Sequence, residues 1–463
     1  MVRLDAIFKA YDIRGTVPDQ IDADACRAIG WAFATFAGAP RILIARDMRP
    51  SGEDLSAAFA EGAGLAGVSV VDMGLASTDL LYFASGRLDA PGAMFTASHN
   101  PAAYNGIKLC LSGARPVGQD TGLATLRSLA LEAPAAPQAP VQRGVKVEHV
   151  DLVEEYAAHV RSFVQVDRLR ALHVVADTAN GMGGLVVPKV FEGLPFHLRV
   201  LFPELDGSFP NHPADPIQPE NLVPLKAAVL EGGADVGLAF DGDADRVFLV
   251  DEKAEPVSGS LTTALVAAAM LERFPGATIL YNLICSKVVP ETIEARGGTA
   301  VRTRVGHSFI KQVMAETGAV FGGEHSGHYY FRDNYRADSG IIAALVVLEF
   351  LSRSGGSLSD LLAPYRRYAD SGEINTEVPD PAAAVDALAG RLDGSGAALD
   401  RTDGLTVDHG DWWFNVRPSN TEPLLRLNVE ASTEAECREH VAEVLDLIAE
   451  VSQLSGGVRS GGA

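Results

Sequence analysis

A serine, a histidine and an asparagine follow one another in a short turn around position 98. Residues 96–101, Thr-Ala-Ser-His-Asn-Pro, come directly after the apolar run 93–95, which is typical of the end of a buried strand. Pro101 disfavours helical backbone at Asn100, so the chain is expected to turn here. The Ser98 hydroxyl then lies beyond a strand end, where open α/β sheets place their ligand chemistry. An ordinary polar turn would have the same residues, so the rest of the chain must decide between the two interpretations.

Three carboxylates alternate with small residues between two predicted strands, at Asp241, Asp243 and Asp245. Oxygen-only ligands at this close spacing suit Mg²⁺ or Ca²⁺ and not Zn²⁺. A solvated acidic turn is the alternative. Arg246 follows the third carboxylate directly, and a cation beside a metal is most useful if an anion binds there too.

An EF-hand loop is a second alternative for this stretch, because Glu252 falls at its twelfth position. That interpretation fails, since the sixth position holds Arg246 instead of the glycine that an EF-hand requires. Residues 247–250 also have the apolar pattern of a strand and not of a loop.

Two later loops carry groups suited to a phosphorylated sugar. Residues 417–423, Arg-Pro-Ser-Asn-Thr-Glu-Pro, combine a guanidinium with hydroxyl, amide and loop N–H donors, which is what a phosphate site needs. Residues 323–328, Gly-Glu-His-Ser-Gly-His, offer a carboxylate and a hydroxyl able to bind vicinal sugar hydroxyls. Taken singly, these could be plain capping or turn residues. No P-loop or GxGxxG follows a suitable strand, which disfavours a nucleotide cofactor.

Short apolar runs alternate with helical patterns along most of the chain, which predicts βαβ units and mainly parallel sheets. A stretch rich in alanine and proline at 133–140 is typical of a linker. The predicted domains are three α/β units at 1–143, 144–254 and 255–368, a last domain at 369–454, and a disordered tail at 455–463.

Length and charge limit the possible partners. The chain has 463 residues and a formal net charge of −22, from 38 Lys plus Arg against 60 Asp plus Glu. That balance argues against nucleic acid and anionic membranes as partners, because phosphate backbones bind basic surfaces. The four cysteines lie far apart and suggest no disulfide framework, and the N-terminus has no long apolar stretch. We therefore expect a cytoplasmic protein without a signal peptide or membrane span.

Together the four loops resemble the signature loops of the α-D-phosphohexomutases, in order and spacing over the whole chain. Residues 11–15, Tyr-Asp-Ile-Arg-Gly, residues 105–108, Asn-Gly-Ile-Lys, and the Gly306-His307 pair fit the same family. The third loop is most similar to the phosphomannomutase/phosphoglucomutase branch.

The resemblance implies three doubly wound-like α/β domains and a smaller C-terminal α+β domain around a central cleft. It also implies a phosphoserine at Ser98, Mg²⁺ as cofactor, and conversion of hexose 6-phosphates and 1-phosphates through a hexose 1,6-bisphosphate that also acts as activator. The implied metal ligands are Ser98, Asp241, Asp243 and Asp245. The implied catalytic residues are Ser98, His99, Arg14, Lys108 and His328. The implied substrate-binding residues are Tyr11, Arg246, His307, Glu324, Ser326, Arg417, Ser419, Asn420 and Thr421.

One position departs from the family pattern. Several relatives carry a substrate-facing lysine where this chain has Ile284, and Lys287 is the candidate to replace it. Two other functions stay open, a phosphoglucosamine mutase and a non-catalytic sugar-phosphate-binding protein, although the intact serine and aspartates argue against the second. A serine hydrolase is disfavoured because no Gly-x-Ser-x-Gly elbow is present. The expected partners are small sugar phosphates, and the expected assembly is a monomer or a homodimer.

Overall fold

The computed structural model describes residues 4–134, 146–419 and 424–457. Its four β-sheets lie in four successive parts of the chain, which we call domains I to IV. Among these described residues, no helix combines the length and the apolar run that a membrane crossing requires.

Domain I holds a seven-stranded sheet. Its strands are β1 (Ile13–Thr16), β2 (Arg41–Arg46), β3 (Ser69–Leu75), β4 (Gly92–Phe95), β5 (Tyr104–Leu111), β6 (Arg115–Pro116) and β7 (Val147–His149). Its helices are α1 (Leu4–Ile7), α2 (Ala23–Ala37), α3 (Gly52–Leu65), α4 (Thr78–Leu88) and α5 (Leu123–Leu131). The strand order is β1-β5-β4-β2-β3-β7, with β6 beside β5.

Domain II holds a five-stranded sheet in the order β12-β11-β10-β8-β9. These strands are β8 (His173–Asp177), β9 (His197–Leu201), β10 (Val236–Phe240), β11 (Val247–Asp251) and β12 (Pro256–Val257). Its helices are α6 (Val153–Arg161), α7 (Gly183–Phe191) and α8 (Val223–Gly232).

Domain III holds a four-stranded sheet in the order β14-β13-β15-β16. These strands are β13 (Thr278–Asn282), β14 (Thr299–Thr303), β15 (Phe321–Gly323) and β16 (Tyr329–Phe331). Its helices are α9 (Gly259–Arg273), α10 (Val288–Ala295), α11 (His307–Thr317), α12 (Gly340–Ser354) and α13 (Leu358–Leu362). Serine side chains cap three of these helices, because Ser258, Ser339 and Ser357 each accept a hydrogen bond from a backbone N–H of the first turn.

Domain IV is an antiparallel sheet with two helices. Its strands are β17 (Ala369–Asp370), β18 (Ile374–Glu377), β19 (Ala398–Asp400), β20 (Leu405–Asp408), β21 (Trp413–Pro418) and β22 (Leu424–Ala431). Its helices are α14 (Pro381–Leu392) and α15 (Glu434–Gly457). The expected fold class, three α/β domains and a C-terminal α+β domain, is confirmed.

The sheets of domains I to III are mixed, with parallel pairs at the centre and antiparallel strands along one edge. In each domain a central strand ends, a short loop follows, and the next strand returns antiparallel: β4 to β5, β10 to β11 and β15 to β16. A parallel return needs a crossover of about a dozen residues or more, so loops this short force an antiparallel partner. The three loops that the sequence singled out therefore occupy one topological position in three domains.

The apolar cores divide the molecule unevenly. One continuous core joins domains I, II and III, with members such as Leu81, Leu238 and Leu345. A second core fills the other face of the domain I sheet, and domain IV has a core of its own. Domains I to III are thus one packed body against which domain IV sits through a more polar contact.

Two sheets extend slightly past the predicted domain boundaries. β7 pairs with β3 and so brings residues beyond 143 back into the first sheet, and β12 continues the second sheet past 254. Helix α15 continues into the predicted tail as far as Gly457, while 458–463 and most of the alanine- and proline-rich stretch lie outside the described residues.

Helices α2 and α3 pack so closely that only glycine fits at their crossing. A Cβ at Gly62 would lie 1.9 Å from the Arg27 carbonyl oxygen, whereas a Cβ at Gly390 in α14 would meet no atom within 4 Å. We expect Gly62→Ala to destabilise domain I by about 1–3 kcal/mol, as overpacking does. Gly390→Ala should instead be neutral or stabilise by up to about 1 kcal/mol. Scanning calorimetry of both variants checks this, and an unchanged melting profile for Gly62→Ala would contradict it.

Candidate functional site

The loop after β4 holds Ser98 in an unusual backbone conformation. Ser98 has a φ of 50°, in the left-handed region, and it is 4% exposed. Its N–H donates to Thr96 Oγ1 at 2.9 Å, and its Oγ donates to Asp241 Oδ2 at 2.7 Å. Strained backbone of this kind persists only where the surroundings impose it, and it is frequent at functional sites. The turn predicted from Pro101 is present, and it aims the hydroxyl at domain II.

Arg49, which the sequence analysis did not single out, shapes this loop. It is 2% exposed, and all five guanidinium N–H groups are used. Nε donates to Asp47 Oδ2 at 3.2 Å. The two terminal nitrogens donate at 2.6–2.9 Å to four loop carbonyl oxygens, which are those of Ser98, Asn100, Pro101 and Tyr104. An arginine in a strand-to-helix turn has no local signature, so only the fold reveals this role.

The three aspartates between β10 and β11 are buried, at 0%, 0% and 1% exposed for Asp241, Asp243 and Asp245. Their ligand atoms lie within 4.8 Å of one another. Lys108 Nζ, from β5, donates to Asp243 Oδ2 at 2.7 Å and to Asp245 Oδ2 at 2.6 Å. Asp243 Oδ1 and Asp245 Oδ1 accept no hydrogen bond from any described residue.

The charges and free oxygens of this cluster indicate which ligand it fits. Burial raises the pKa of Asp241 to about 7, and the Asp243 and Asp245 charges add to the rise against the opposing Arg246. Burial would also raise the pKa of Asp243, but Lys108 outweighs it and holds that pKa below its usual range. Lys108 and Arg246 hydrogen bond to the three aspartates, and Asp243 Oδ1 and Asp245 Oδ1 keep lone pairs free for a further ligand. Closely spaced carboxylate oxygens are the ligands that Mg²⁺ prefers, so the residues fit this ion.

Arg246 joins the serine loop to the aspartate loop. Its Nε donates to Asp241 Oδ2 at 2.8 Å, and its Nη2 donates to Ser98 Oγ at 3.2 Å. Nη2 also donates to His99 Nδ1, which identifies that nitrogen as an acceptor. Burial, and then the Arg246 charge, hold the pKa of His99 well below its ordinary value. Both effects disfavour the protonated ring, and the hydrogen bond from Arg246 ties His99 to the aspartate loop.

His328, on the loop that leads into β16, lies on the other side of the aspartates. Its Nδ1 is 2.9 Å from Asp338 Oδ2 and 3.8 Å from Asp245 Oδ1. Burial disfavours its charged form, but Asp245 and Asp338 outweigh burial and raise the pKa of His328 above its ordinary value. Asp338 in turn pairs with Lys311 at 2.8 Å. The sequence analysis found neither Asp338 nor Lys311, because both lie outside the loop that carries His328.

Arg14 reaches the serine loop from β1, the strand that pairs with β5. Its Nη1 donates to Asn100 Oδ1 at 2.6 Å, and its other terminal nitrogen pairs with Asp12. Arg14 thus contacts the loop through Asn100.

Glu324 is buried and well hydrogen bonded. Oε1 accepts from Asn282 Nδ2 at 3.2 Å and from the Gly306 N–H at 3.1 Å, and Oε2 accepts from Tyr330 Oη at 2.7 Å. Ser326 follows on the same loop and is half-buried.

The approach from domain I to this loop runs through Tyr11. Its Oη donates to the Val305 carbonyl at 3.0 Å, next to Gly306, whose φ of 127° favours glycine. His307 begins α11, and its side chain lies outside what the structure describes.

In domain IV, Arg417 donates to Glu373 Oε2 at 2.9 Å, and the Ser419 N–H donates to the Leu424 carbonyl at 2.8 Å. Burial lowers the pKa of His325 in domain III, although the Asp370 and Glu373 charges oppose this change. Asn420 and Thr421 lie outside the described residues.

Lys287 has a different role from the one considered above. Its Nζ donates to Asp408 Oδ1 at 2.8 Å and to the Gly410 carbonyl at 2.7 Å, so it ties domain III to domain IV. Ile284 is buried nearby, in the wall between the two domains. Among the described residues, Lys287 therefore does not replace the substrate-facing lysine that several relatives carry at the position of Ile284.

Comparison with known proteins agrees with this arrangement. Four descriptions of the family match, Phosphoglucomutase/phosphomannomutase alpha/beta/alpha domains I, II and III at residues 5–130, 154–255 and 258–368, and the C-terminal domain at 373–447. The chain belongs to the phosphoglucomutase/phosphomannomutase family. It is accordingly a mutase, in the class of the isomerases.

Individual relatives cover nearly the whole chain. A phosphomannomutase of Salmonella montevideo is 38% identical over 95% of this chain and 98% of its own length. A protein of Xanthomonas campestris pv. campestris named phosphohexose mutases is 41% identical over 92% of this chain and 95% of its own. The crystal structure of a Phosphoglucomutase/phosphomannomutase family protein from Burkholderia thailandensis has a TM-score of 0.87 at 31% identity, covering 97% of this chain and 98% of that one.

The five-bond arrangement at Arg49 generates a prediction. Arg49→Lys keeps the charge but leaves buried loop carbonyls unpaired, at about 1–3 kcal/mol each. We expect mutase activity to fall about a hundredfold or more. Misplacing the serine loop raises the activation free energy, and each 1.4 kcal/mol of that rise slows the reaction about tenfold. Arg46→Lys is the matched control, because Arg46 is partly exposed and makes a long ion pair, 3.7 Å from its Nη2 to Glu53 Oε2. A coupled mutase assay of both variants measures this, and equal activities would refute the role of Arg49.

Proposed function

We propose that this enzyme interconverts hexose 6-phosphates and hexose 1-phosphates of mannose and glucose, with Ser98 as the residue that carries the phosphoryl group. The observation that carries the proposal is the hydrogen bond from Ser98 Oγ to Asp241 Oδ2, beside two carboxylate oxygens that accept no hydrogen bond from any described residue. A serine hydroxyl in such surroundings is suited to hold a phosphate beside a divalent cation.

The phosphoserine donates its phosphoryl group to the free hydroxyl of the sugar phosphate. The bond from Ser98 Oγ to phosphorus breaks, a bond from the sugar oxygen to phosphorus forms, and a hexose 1,6-bisphosphate results. The bisphosphate then turns over and returns its other phosphoryl group to Ser98. Added hexose 1,6-bisphosphate acts as activator because it phosphorylates an enzyme that has lost its phosphate.

Charge neutralisation is the main demand of this chemistry, because phosphoryl transfer depends on positioning and electrostatics. Asp241, Asp243 and Asp245 would hold Mg²⁺ together with the phosphate on Ser98. When bound, Mg²⁺ supplies positive charge to the phosphoryl oxygens. Arg246 supports the same charge from the protein side, as its contact with Ser98 Oγ suggests.

A proton must leave the attacking hydroxyl and return in the reverse step. We assign this exchange to His328, whose side chain is 20% exposed and whose Nδ1 faces two carboxylates. Arg14 and Lys108 lie on the strands next to the serine loop and act on the transferring phosphate. His99 braces the loop.

The sugar binds to the third loop and its far phosphate to the fourth. Glu324 and Ser326 take the hydroxyls at C3 and C4, since among the described contacts Oε2 accepts one hydrogen bond and retains a lone pair. Tyr11 and the Gly306-His307 turn border the sugar site on the side of domain I. The distant phosphate is held by residues of domain IV, namely Arg417, Ser419, Asn420 and Thr421.

The covalent step is tested by locating the phosphate. We expect intact-mass measurement and peptide mapping to find one phosphate at Ser98, and Ser98→Ala to lose at least a thousandfold in activity, because no other hydroxyl occupies that position. Ser128→Ala, at an exposed serine of α5, is the control and should retain full activity. Phosphate at another residue, with Ser98→Ala active, would overturn the mechanism.

The substrate range depends on which sugar hydroxyls donate hydrogen bonds to the Glu324 carboxylate. Glucose and mannose differ only at C2, so a site that binds C3 and C4 should accept both. Galactose is epimeric at C4. We expect the kcat/KM for galactose phosphate to be lower than that for glucose or mannose phosphate by at least about a hundredfold, because the buried Glu324 carboxylate would lose its hydrogen-bond partner.

Parallel kcat/KM measurements on mannose, glucose, galactose and glucosamine 1-phosphates check this range. Efficient turnover of the galactose compound would contradict the C4 assignment. Turnover of the glucosamine compound above both mannose and glucose would instead favour a phosphoglucosamine mutase.

A further inference from the structure

Thr78 reaches into the aspartate cluster from a different domain. It is the first residue of α4 in domain I, and it is fully buried. Its Oγ1 donates to Asp243 Oδ2 at 2.5 Å, and its N–H donates to the Asp243 carbonyl at 3.1 Å. One residue thus grips both the side chain and the backbone of Asp243.

The bonds at Asp243 all fall on one carboxylate oxygen. Oδ2 accepts from Thr78 Oγ1 and from Lys108 Nζ, while Oδ1 accepts from no described residue. Asp245 shows the same division, because its Oδ2 accepts from Lys108 and its Oδ1 accepts no hydrogen bond from any described residue, with His328 Nδ1 3.8 Å away. Each carboxylate therefore presents a single free oxygen to the cluster.

This division matters for the choice of metal. Mg²⁺ prefers six ligands in near-ideal octahedral geometry and usually takes one oxygen from each carboxylate, whereas Ca²⁺ takes six to eight and readily uses both oxygens of one. A carboxylate whose second oxygen is already occupied by two donors cannot bind in the second way. The arrangement favours the smaller ion.

We propose that the Thr78 hydroxyl is a selectivity determinant of the metal site, which restricts Asp243 to one ligating oxygen and thereby favours Mg²⁺ over Ca²⁺. The inference rests on the proposed metal centre at Asp241, Asp243 and Asp245. Thr78 is a positioning residue, because it acts through Asp243 and does not itself ligate.

The start of α4 is anchored firmly enough for this task. Ser77 Oγ caps the helix by accepting from the Leu80 N–H at 3.3 Å. Asp79 accepts from Ser339 Oγ of domain III at 2.7 Å and from Tyr156 of domain II. Since two other domains hold the neighbouring residue, Thr78 cannot easily withdraw from Asp243.

The test compares metal affinities by calorimetry, with magnesium chloride and calcium chloride as the only ligands. All preparations are brought to the same phosphate content, which intact-mass measurement checks, so that phosphorylation cannot differ between them. Thr78→Val removes the hydroxyl and nearly keeps the side-chain volume, Thr78→Ala removes both the hydroxyl and the volume, and Thr78→Ser keeps the hydroxyl. Thr262→Val is the matched control, because Thr262 is equally buried but donates to the Ser258 carbonyl within α9.

In Thr78→Val and Thr78→Ala we expect the Mg²⁺ Kd to rise about tenfold, as loss of a partner behind a metal ligand typically does. The Ca²⁺ Kd should change less, so the preference for Mg²⁺ shrinks. Thr78→Ser and Thr262→Val should keep the preference of the parent.

Equal changes in the two affinities, or none in either alanine or valine variant, would overturn the role of Thr78 while leaving the metal site intact. If the parent bound neither ion, or if Asp243→Asn left binding unchanged, the proposed metal centre itself would fall, and the inference with it.

Discussion

Three buried carboxylates next to one hydroxyl are the constraint on which this molecule depends. Asp241, Asp243 and Asp245 repel one another in a region from which water is excluded, and such a cluster is tolerated only with cations close by. Lys108 of domain I and Arg246 of domain II supply two of these. The closely spaced carboxylates favour binding of a divalent cation, and such a cation can in turn hold a phosphate. The repulsion between the carboxylates is therefore linked to the function that we propose for the site.

The neutralising groups come from several domains, which explains why domains I to III share one apolar core. Lys108 and Thr78 extend from domain I to aspartates of domain II, and the His328 loop of domain III closes the opposite side. A change in the relative position of these domains by even one ångström would break short charged hydrogen bonds. The continuous core holds the three domains together and so fixes those distances.

Domain IV is built for a different task. It has its own core, and it contacts domain III through polar groups, among them Lys287 with Asp408 and Glu430. The phosphate site that we propose on this domain would approach the sugar independently of the proposed catalytic centre, which suits a reaction in which either phosphate of the intermediate must occupy it in turn. The Arg417–Glu373 pair keeps that guanidinium oriented in the meantime.

Local sequence determined much of this protein. The turn at Pro101, the strand ends on either side of the aspartates and the alternation of strands and helices follow from short-range rules, and the four loops reveal the family. The antiparallel returns were also within reach of such rules, because loops of five to eight residues are too short for a crossover to a parallel strand. The same rules could not show that Arg49 uses all its donors on one loop, that Asp338 and Lys311 stand behind His328, or that Lys287 points away to domain IV.

Those features were decided only by tertiary structure, for a physical reason. Each depends on a contact between residues far apart in the chain, such as Thr78 with Asp243. A buried polar side chain must find a partner, but its identity is set by which elements the packed cores bring together and not by its neighbours in sequence. The sequence alone therefore determined which chemical groups stand on each loop, and the packing of the domains decided which of their atoms are occupied and which are left free for a ligand.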